Sequence, residues 1–211
     1  NGIDLAEVDR RVQASDRTPT DLGGAPGGVL FVAVARIAPH KGQHRLLDAL
    51  APLADHPTPW HLAIIGEHER ERGSDYAAEV RAQVTRLGLD RRVSFLGWRS
   101  DVPELLAAAD TFVMPSEREG WSLALVEAMV AGLTMVITDC AGRPDGFVDG
   151  LHGWVVASGD TAALREGLRQ RLDMPADAVA ASRAAVTALA AQYDVTTMGE
   201  RFVELIEQAA R

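Results

Sequence analysis

The sequence predicts an α/β domain in which a parallel sheet of six strands is covered by helices on both faces. Short apolar runs alternate with helical stretches, and each interval between two of the first five runs holds one helix. Parallel strands need such crossovers, and helices on both faces make the strands uniformly apolar. The strands are predicted, in order, at Val29–Ala35, Trp60–Ile65, Val93–Leu96, Thr111–Met114, Leu133–Thr138 and Trp154–Val156.

The helices are predicted from apolar residues at helical spacing and from residues that end a helix. Apolar residues share one face of the stretch 76–87, and Gly88 ends it. Pro103 lies near the start of its helix, where proline is tolerated. The order of elements is Rossmann-like, with extra helices after the sixth strand. The predicted helices are Gly42–Leu53, Tyr76–Leu87, Val102–Ala109, Ser122–Ala131, Thr161–Leu172, Ala176–Tyr193 and Val195–Ala210.

The chain divides into three predicted segments. Residues 21–28 read DLGGAPGG, which is typical of a linker. Residues 1–28 are therefore assigned to an interdomain segment and linker, residues 29–193 to the Rossmann-like domain and residues 194–211 to a C-terminal helix. A domain of this length buries a sizeable core without a disulfide or metal staple.

Composition excludes several classes of protein. Acidic residues outnumber basic ones by 30 to 21, and the net charge of −9 would repel a nucleic acid. The single cysteine, Cys140, allows no internal disulfide, which favours a reducing, cytoplasmic location. No apolar run approaches the ~18 residues of a membrane span.

Ligands of parallel sheets bind at the carboxyl ends of the strands, so the loops there are the candidate site. The loop after the first strand carries Arg36 and Lys41, with Gly42 and a predicted helix directly after them. Two cations beside a helix N-terminus suit a phosphate or diphosphate. The alternative, favoured on this loop alone, is a pair of solvated surface residues.

The loop after the fourth strand carries Glu119, and the helix that follows carries Glu127. Carboxylates accept hydrogen bonds from vicinal sugar hydroxyls, and the amides of residues 120–123 begin the helix. We expect Leu123, Val126 and Val130 to form the buried stripe of this helix, with Glu127 beside it. The alternative is two unrelated surface glutamates.

The loop after the third strand reads Leu96-Gly97-Trp98. A glycine followed by an aromatic residue at a strand end could place a nucleobase against the backbone. The alternative is that Trp98 simply packs against the fold.

Four segments, in order along the chain, resemble one enzyme family. They are Asn1-Gly2-Ile3-Asp4, VARIAPHKG, VSFLGWRSDVPELLAAADTFVMPSEREGWSLALVEAMVAG and AGRPDGFVDGLHGWVV. Over nearly its whole length the chain resembles the C-terminal domain of the retaining GT-B glycosyltransferases of glycosyltransferase family four. The sequence departs from the family pattern at Gly66-Glu67-His68, where Gly-x-Gly is usual. It also has Asp145 where the family usually has Glu, and Ala141 where the family often has Gly.

The resemblance implies roles for these loops. Arg36 and Lys41 would hold the nucleotide diphosphate and neutralise the leaving group, and Glu119 would contact the donor sugar. Glu127 would bind the ribose hydroxyls. The other implied donor-binding residues are Gly120, Trp121, Ser122 and Leu123 beside the sugar, and Leu96, Gly97 and Trp98 beside the base.

The resemblance also implies an activity for the whole protein. A hexosyl group would pass from a UDP- or GDP-sugar, without metal or cofactor, to a lipid, saccharide or small-molecule acceptor. An N-terminal domain preceding this segment would bind that acceptor, so we expect little transfer by this chain alone. Membrane association would be peripheral, at the inner face.

Other functions remain open at this point. One alternative is a non-enzymatic nucleotide-sugar-binding or interaction module. A less favoured one is a serine hydrolase, because GWSLA around Ser122 approximates G-x-S-x-G and His152 follows, but no strand directly precedes the serine. A dinucleotide oxidoreductase is disfavoured because no G-x-G-x-x-G follows the first strand of this sequence. A metal site is disfavoured because His40 and His44 lack the intervening acid of H-E-x-x-H.

Overall fold

The computed structural model describes residues 3–67, 75–140, 142–197 and 199. Within these ranges, six parallel strands form one sheet in the order β3-β2-β1-β4-β5-β6. This is the Rossmann-like order, and the predicted fold class is confirmed. The strands are β1 (Val29–Val34), β2 (Trp60–Ile65), β3 (Val93–Gly97), β4 (Thr111–Met114), β5 (Thr134–Asp139) and β6 (Gly153–Ala157).

Helices cover both faces of the sheet. On one face α2, α3 and α6 pack against alternate strand residues such as Phe31, and on the other α4, α5 and α7 pack against residues such as Val32. Both side chains are 0% exposed. The helices are α1 (Leu5–Gln13), α2 (Gln43–Leu50), α3 (Tyr76–Arg86), α4 (Val102–Ala107), α5 (Leu123–Val130), α6 (Thr161–Leu172) and α7 (Ala176–Ala190).

The predicted helix Gly42–Leu53 is too long at its C-terminal end. The α-helix ends at Leu50, and residues Ala51–Leu53 form a 3₁₀ turn. Pro52 lacks the amide hydrogen that an α-helix would need there. A 3₁₀ turn, Ala191–Tyr193, likewise follows α7. Beyond its first few residues, the helix predicted at Val195–Ala210 lies outside the described residues.

Helix α1 was not predicted. It lies in the segment 1–28, and Asp4 caps it by accepting a hydrogen bond from the Glu7 amide at 2.9 Å. The helix packs on α4 and α5, and Val8 is its buried residue. One buried apolar residue gives too weak a helical pattern to detect in the sequence. The assignment of residues 1–28 to an interdomain segment stays a prediction.

The strand order reverses direction between β1 and β4. The loops that follow these two strands leave in opposite directions, which opens a crevice at their carboxyl ends. Gly42 sits at this point with a φ of 72°, and a β-carbon on it would lie 2.1 Å from the carbonyl oxygen of Pro115. This close approach joins the two loops that carry the candidate residues.

A second close approach lies at Gly66, where the sequence departs from Gly-x-Gly. A β-carbon there would stand 2.0 Å from the carbonyl oxygen of Ala35, so the first glycine of that pattern is needed. His68 lies outside the described residues. Among the helices that the structure describes, none has the length and apolar character needed to cross a membrane.

Candidate active site

Lys41 and Glu119 form an ion pair in the crevice between β1 and β4. The Lys41 Nζ lies 2.7 Å from the Glu119 Oε1, and the two side chains are 13% and 10% exposed. Lys41 ends the 3₁₀ turn Pro39–Lys41 after β1, and Glu119 follows β4. The structure thus brings together two residues that the sequence places 78 positions apart.

Glu119 is held by Ser116, which Thr138 holds in turn, and the sequence analysis missed both residues. Ser116 donates a hydrogen bond from Oγ to the Glu119 Oε1 at 2.9 Å, and it is 1% exposed. The Thr138 hydroxyl, at the end of β5, donates to the carbonyl oxygen of Ser116 at 2.5 Å. A serine three residues before a loop glutamate, and two residues after a strand, was the available signal for this contact.

A cavity opens at the carboxyl end of β5. Its volume is about 480 Å³, and residues 139, 140 and 143–147 line it. Asp145, which departs from the family pattern, lies in this lining; Ala141 is outside the described residues. The cavity lies at the edge of the sheet where ligands of such folds bind, and Glu119 is not part of its lining.

Arg36 lies on the same edge, two residues after β1. Its side chain is exposed, and its carbonyl oxygen accepts a hydrogen bond from the Gln43 Nε2 at 2.9 Å. Gln43 is the first residue of α2 and is 2% exposed. The first turn of α2 thereby fixes the backbone that carries Arg36.

The Tyr76 hydroxyl occupies part of the N-terminal end of α2. The His44 amide donates to the Tyr76 hydroxyl at 3.3 Å, and the same hydroxyl lies 2.7 Å from the His44 Nδ1. This arrangement ties His44 to α3 rather than leaving it beside His40 for a metal. Within the described ranges, no cluster of three His, Cys, Asp or Glu residues could hold a metal ion.

The N-terminal end of α5 offers unoccupied donors. Ser122 caps the helix by accepting from the Leu125 amide at 3.3 Å. Over the part of the chain that is described, the amides of residues 120–124 donate no hydrogen bond. Such amides at the positive end of a helix dipole favour an anion or an electron-rich oxygen.

The buried stripe predicted for α5 is wrong at Leu123. This side chain is 48% exposed, and Val130, at the other end of the helix, is only half-buried. Trp121 instead packs on Tyr193, with ring centroids 5.1 Å apart. The residues of α5 that are buried are Leu125, Val126, Ala128 and Met129.

Glu127 lies apart from the Lys41–Glu119 pair. It is half-buried, and burial raises the pKa of its carboxyl, while the Arg11 cation lowers that pKa and the Glu104 anion raises it. Arg11 reaches from α1 to Glu104 through two hydrogen bonds, of 2.8 Å from Nε and 2.7 Å from Nη2. Helix α1 therefore supplies a positive charge that acts on Glu127, which sequence reasoning missed.

The alternative in which Trp98 packs against the fold is wrong. Trp98 is 68% exposed at the carboxyl end of β3. The preceding Gly97 has a φ of 67°, and its carbonyl oxygen accepts from the Gly66 amide at 2.7 Å. The turn holds the end of β3 against the end of β2 and leaves the indole ring free to meet a ligand, beside the half-buried Leu96.

The hydrolase arrangement does not form. The Ser122 hydroxyl oxygen caps α5, as described, and His152 is 6% exposed. The His152 Nδ1 accepts a hydrogen bond from the Val148 amide at 2.8 Å. This histidine stabilises its own turn, and burial lowers its pKa.

Comparison with known proteins gives a family match. The family model described as glycosyl transferases group 1 matches residues 17–187. The lipopolysaccharide core biosynthesis mannosyltransferase LpcC of Rhizobium leguminosarum bv. viciae is 30% identical over 180 residues, covering 85% of this chain and 50% of that protein. The 2-deoxystreptamine glucosyltransferase of Streptomyces kanamyceticus is 30% identical over 171 residues, covering 80% and 43%. The chain spans about half the length of these curated relatives.

Solved structures share the fold. Anabaena Alr3699/HepE in complex with UDP has a TM-score of 0.83 and 28% identity, covering 99% of this chain and 56% of that one. The same protein with UDP-glucose has a TM-score of 0.80 at the same identity and coverage. The C-terminal domain of a glycosyl transferase group 1 protein, LpcC of Francisella tularensis, has a TM-score of 0.74 and 22% identity, covering 92% and 100%.

Proposed function

The chain belongs to the glycosyl transferases group 1, and we propose that it is the donor-binding C-terminal domain of a retaining GT-B glycosyltransferase of family four. It binds a UDP- or GDP-sugar, and the longer protein transfers the hexosyl group to an acceptor. The observation that carries this proposal is the Lys41–Glu119 pair at the crevice between β1 and β4. The UDP and UDP-glucose complexes of Anabaena HepE favour a UDP-sugar.

The donor spans the carboxyl edge of the sheet. Lys41 keeps two of its three ammonium hydrogens when it pairs with Glu119, and these bind the diphosphate together with Arg36. The amides of residues 120–123 face the sugar and its phosphate, beside Glu119. Glu127 accepts from the ribose hydroxyls, and Leu96, Gly97 and Trp98 border the base.

The chemical step relies on the two cations. As the bond between the sugar and the diphosphate breaks, negative charge grows on the leaving oxygen. Preorganised cations in a partly desolvated site stabilise that charge more than water does. Front-face displacement through an oxocarbenium-like state then gives retention, and Lys41 and Arg36 take the place of a metal ion.

The acceptor side lies in a second domain of the longer protein. That domain binds a lipid, saccharide or small molecule, while residues 29–193 bind the donor and residues 1–28 and 194–211 join the two halves. The chain alone binds donor and transfers little. A cytoplasmic location follows from the supply of nucleotide sugars, with any membrane contact peripheral.

Transfer by the longer protein tests the proposal. Lys41→Ala is expected to lower kcat by roughly two to four powers of ten, as does loss of a main electrostatic donor. The matched control is Arg91→Ala, which removes an exposed cation just before β3, at the opposite edge of the sheet. An unchanged kcat in Lys41→Ala would remove this lysine from the mechanism.

A second arm separates an enzyme from a binding module. With a chelator present, the longer protein is expected to keep its transfer activity on the nucleotide sugar that it binds. Saturable nucleotide-sugar binding without transfer to lipid, saccharide or small-molecule acceptors would instead support a non-enzymatic binding module.

A further inference from the structure

We infer that Ser116 is a positioning residue, which fixes the Glu119 carboxylate so that one of its oxygens stays available to the donor sugar. This inference rests on the proposed function of the donor site. It adds a role for a buried loop residue that binds no substrate itself.

The two oxygens of Glu119 have different surroundings. Oε1 accepts from the Lys41 Nζ at 2.7 Å and from the Ser116 Oγ at 2.9 Å. Two donors fill the accepting capacity of one carboxylate oxygen. Within the residues described, Oε2 accepts no hydrogen bond. In the proposed site, Oε2 is the oxygen that is left to accept from a sugar hydroxyl.

Ser116 is itself held in place and shielded. It is 1% exposed, so its hydroxyl contacts Glu119 rather than a ligand. The Thr138 hydroxyl binds its carbonyl oxygen at 2.5 Å, and Thr138 is 3% exposed. The end of β5 thus fixes the loop after β4, and that loop fixes the glutamate.

The serine contact decides how the carboxylate turns. An ammonium is a compact charge without a preferred plane. Lys41 alone therefore does not determine whether one oxygen of Glu119 or both oxygens contact it. Without the Ser116 hydroxyl, the carboxylate can rotate and share both oxygens with Lys41. The loss falls mainly on the sugar, because Lys41 keeps its charge and the nucleotide is also bound by Arg36 and Glu127.

Calorimetric titration of the chain with UDP and with UDP-glucose, and with GDP and GDP-mannose in parallel, tests this inference. In Ser116→Ala, the affinity for the nucleotide sugar is expected to fall about tenfold, the value of one hydrogen bond to a charged group. The affinity for the nucleotide alone is expected to stay within about twofold. Ser116→Thr, which keeps the hydroxyl, should restore most of the loss.

The matched control is Ser158→Ala. The Ser158 hydroxyl donates to the Glu117 carbonyl oxygen at 3.4 Å, so it touches the same loop without reaching Glu119. Its nucleotide-sugar affinity is expected to match that of the unmodified chain. Melting temperatures of all variants separate lost binding from lost fold. If Ser116→Ala fails to fold, Thr138→Val, which frees the Ser116 carbonyl, gives the same comparison with a smaller expected loss.

The outcomes separate two failures. If the unmodified chain binds nucleotide sugar and Ser116→Ala binds it equally well, the positioning role is overturned and the donor site stands. An equal loss for nucleotide and nucleotide sugar also overturns it, because a general structural effect would then explain the data. If neither UDP-glucose nor GDP-mannose binds the unmodified chain or the longer protein, the proposed donor site fails, and this inference fails with it.

Discussion

Gly142 lies against Glu119, so closely that a β-carbon on residue 142 would stand 2.3 Å from the Glu119 Cβ. The loop after β5 therefore presses on the side chain that pairs with Lys41. Gly142 is buried, and this contact leaves no room for a side chain at that position.

Gly142→Ala is expected to displace Glu119 and weaken nucleotide-sugar binding by about tenfold, with a cost in stability of about 1–3 kcal/mol for the overpacked site. Calorimetry and thermal unfolding measure the two effects. The control is Ser158→Ala, which touches the loop of Glu119 only through the Glu117 carbonyl oxygen. If Gly142→Ala binds nucleotide sugar as well as Ser158→Ala does, the contact of the loop after β5 with Glu119 has no role in holding the sugar.

Glu127→Gln is expected to stabilise the fold while weakening nucleotide binding. Burial raises the pKa of Glu127, so the folded chain favours the protonated carboxyl. The stability from this group is complete below its unfolded pKa and is lost as pH rises through its folded pKa. Glutamine stays neutral, so the variant should melt at a higher temperature near pH ~7, with the gain vanishing near pH ~4.

The same variant removes the charged acceptor proposed for the ribose. Its affinity for UDP is expected to fall by about tenfold. Arg11 and Glu104 face this carboxyl and remain in the variant, so the pH comparison isolates Glu127. A gain in melting temperature with unchanged nucleotide affinity would make Glu127 a buried residue without a role in binding.

Arg11→Met is expected to lower stability by about 1 kcal/mol, since the side chains are only about a third exposed and form two hydrogen bonds. Arg11 holds the pKa of Glu104 below its usual range, so the stability of this pair is present above the unfolded pKa of Glu104. It is lost as pH falls through the folded pKa. Thermal unfolding at several pH values should show the variant's deficit shrinking in acid.

The control for Arg11→Met is the same substitution at the neighbouring Arg10. Arg10 pairs with Glu7 on the same helix and its side chain is 71% exposed, so Arg10→Met should change stability by less than about 0.5 kcal/mol. Equal effects of the two variants would mean that the contact between α1 and α4 contributes nothing measurable.

Trp98→Ala is expected to leave stability nearly unchanged and to weaken UDP binding by about tenfold. The indole ring is 68% exposed, so its removal leaves no cavity, whereas stacking of a base on an aromatic ring contributes about 1–3 kcal/mol. Calorimetry measures the binding and thermal unfolding the stability. Unchanged UDP affinity would place the base away from the end of β3.

The sheet could be predicted from the sequence because its four central strands, β1, β2, β4 and β5, are buried on both faces. A run such as Trp60–Ile65 is fully buried, and its boundaries coincide with the apolar letters. Helix α1 could not be predicted in this way, because it buries a single apolar residue and is held by charged contacts from Arg11. Ends of helices were misjudged where one residue, such as Pro52, changes the hydrogen bonding locally.

The candidate site was predictable in part. Strand ends in a parallel sheet share an edge, so Lys41 and Glu119 could be expected near each other. Their direct contact depends on the backbone approach of Gly42 to Pro115, which no spacing reveals. Ser116 and Gly142 escaped prediction for the same reason, since their importance lies in what they touch across the fold.

The most direct test of the central claim is a calorimetric titration of this chain with UDP, GDP and ADP, without added metal, repeated on Lys41→Ala. The donor-site account predicts saturable binding of one nucleotide to the unmodified chain and its loss in the variant. Equal binding by both chains, or no binding by either this chain or the longer protein, would contradict it.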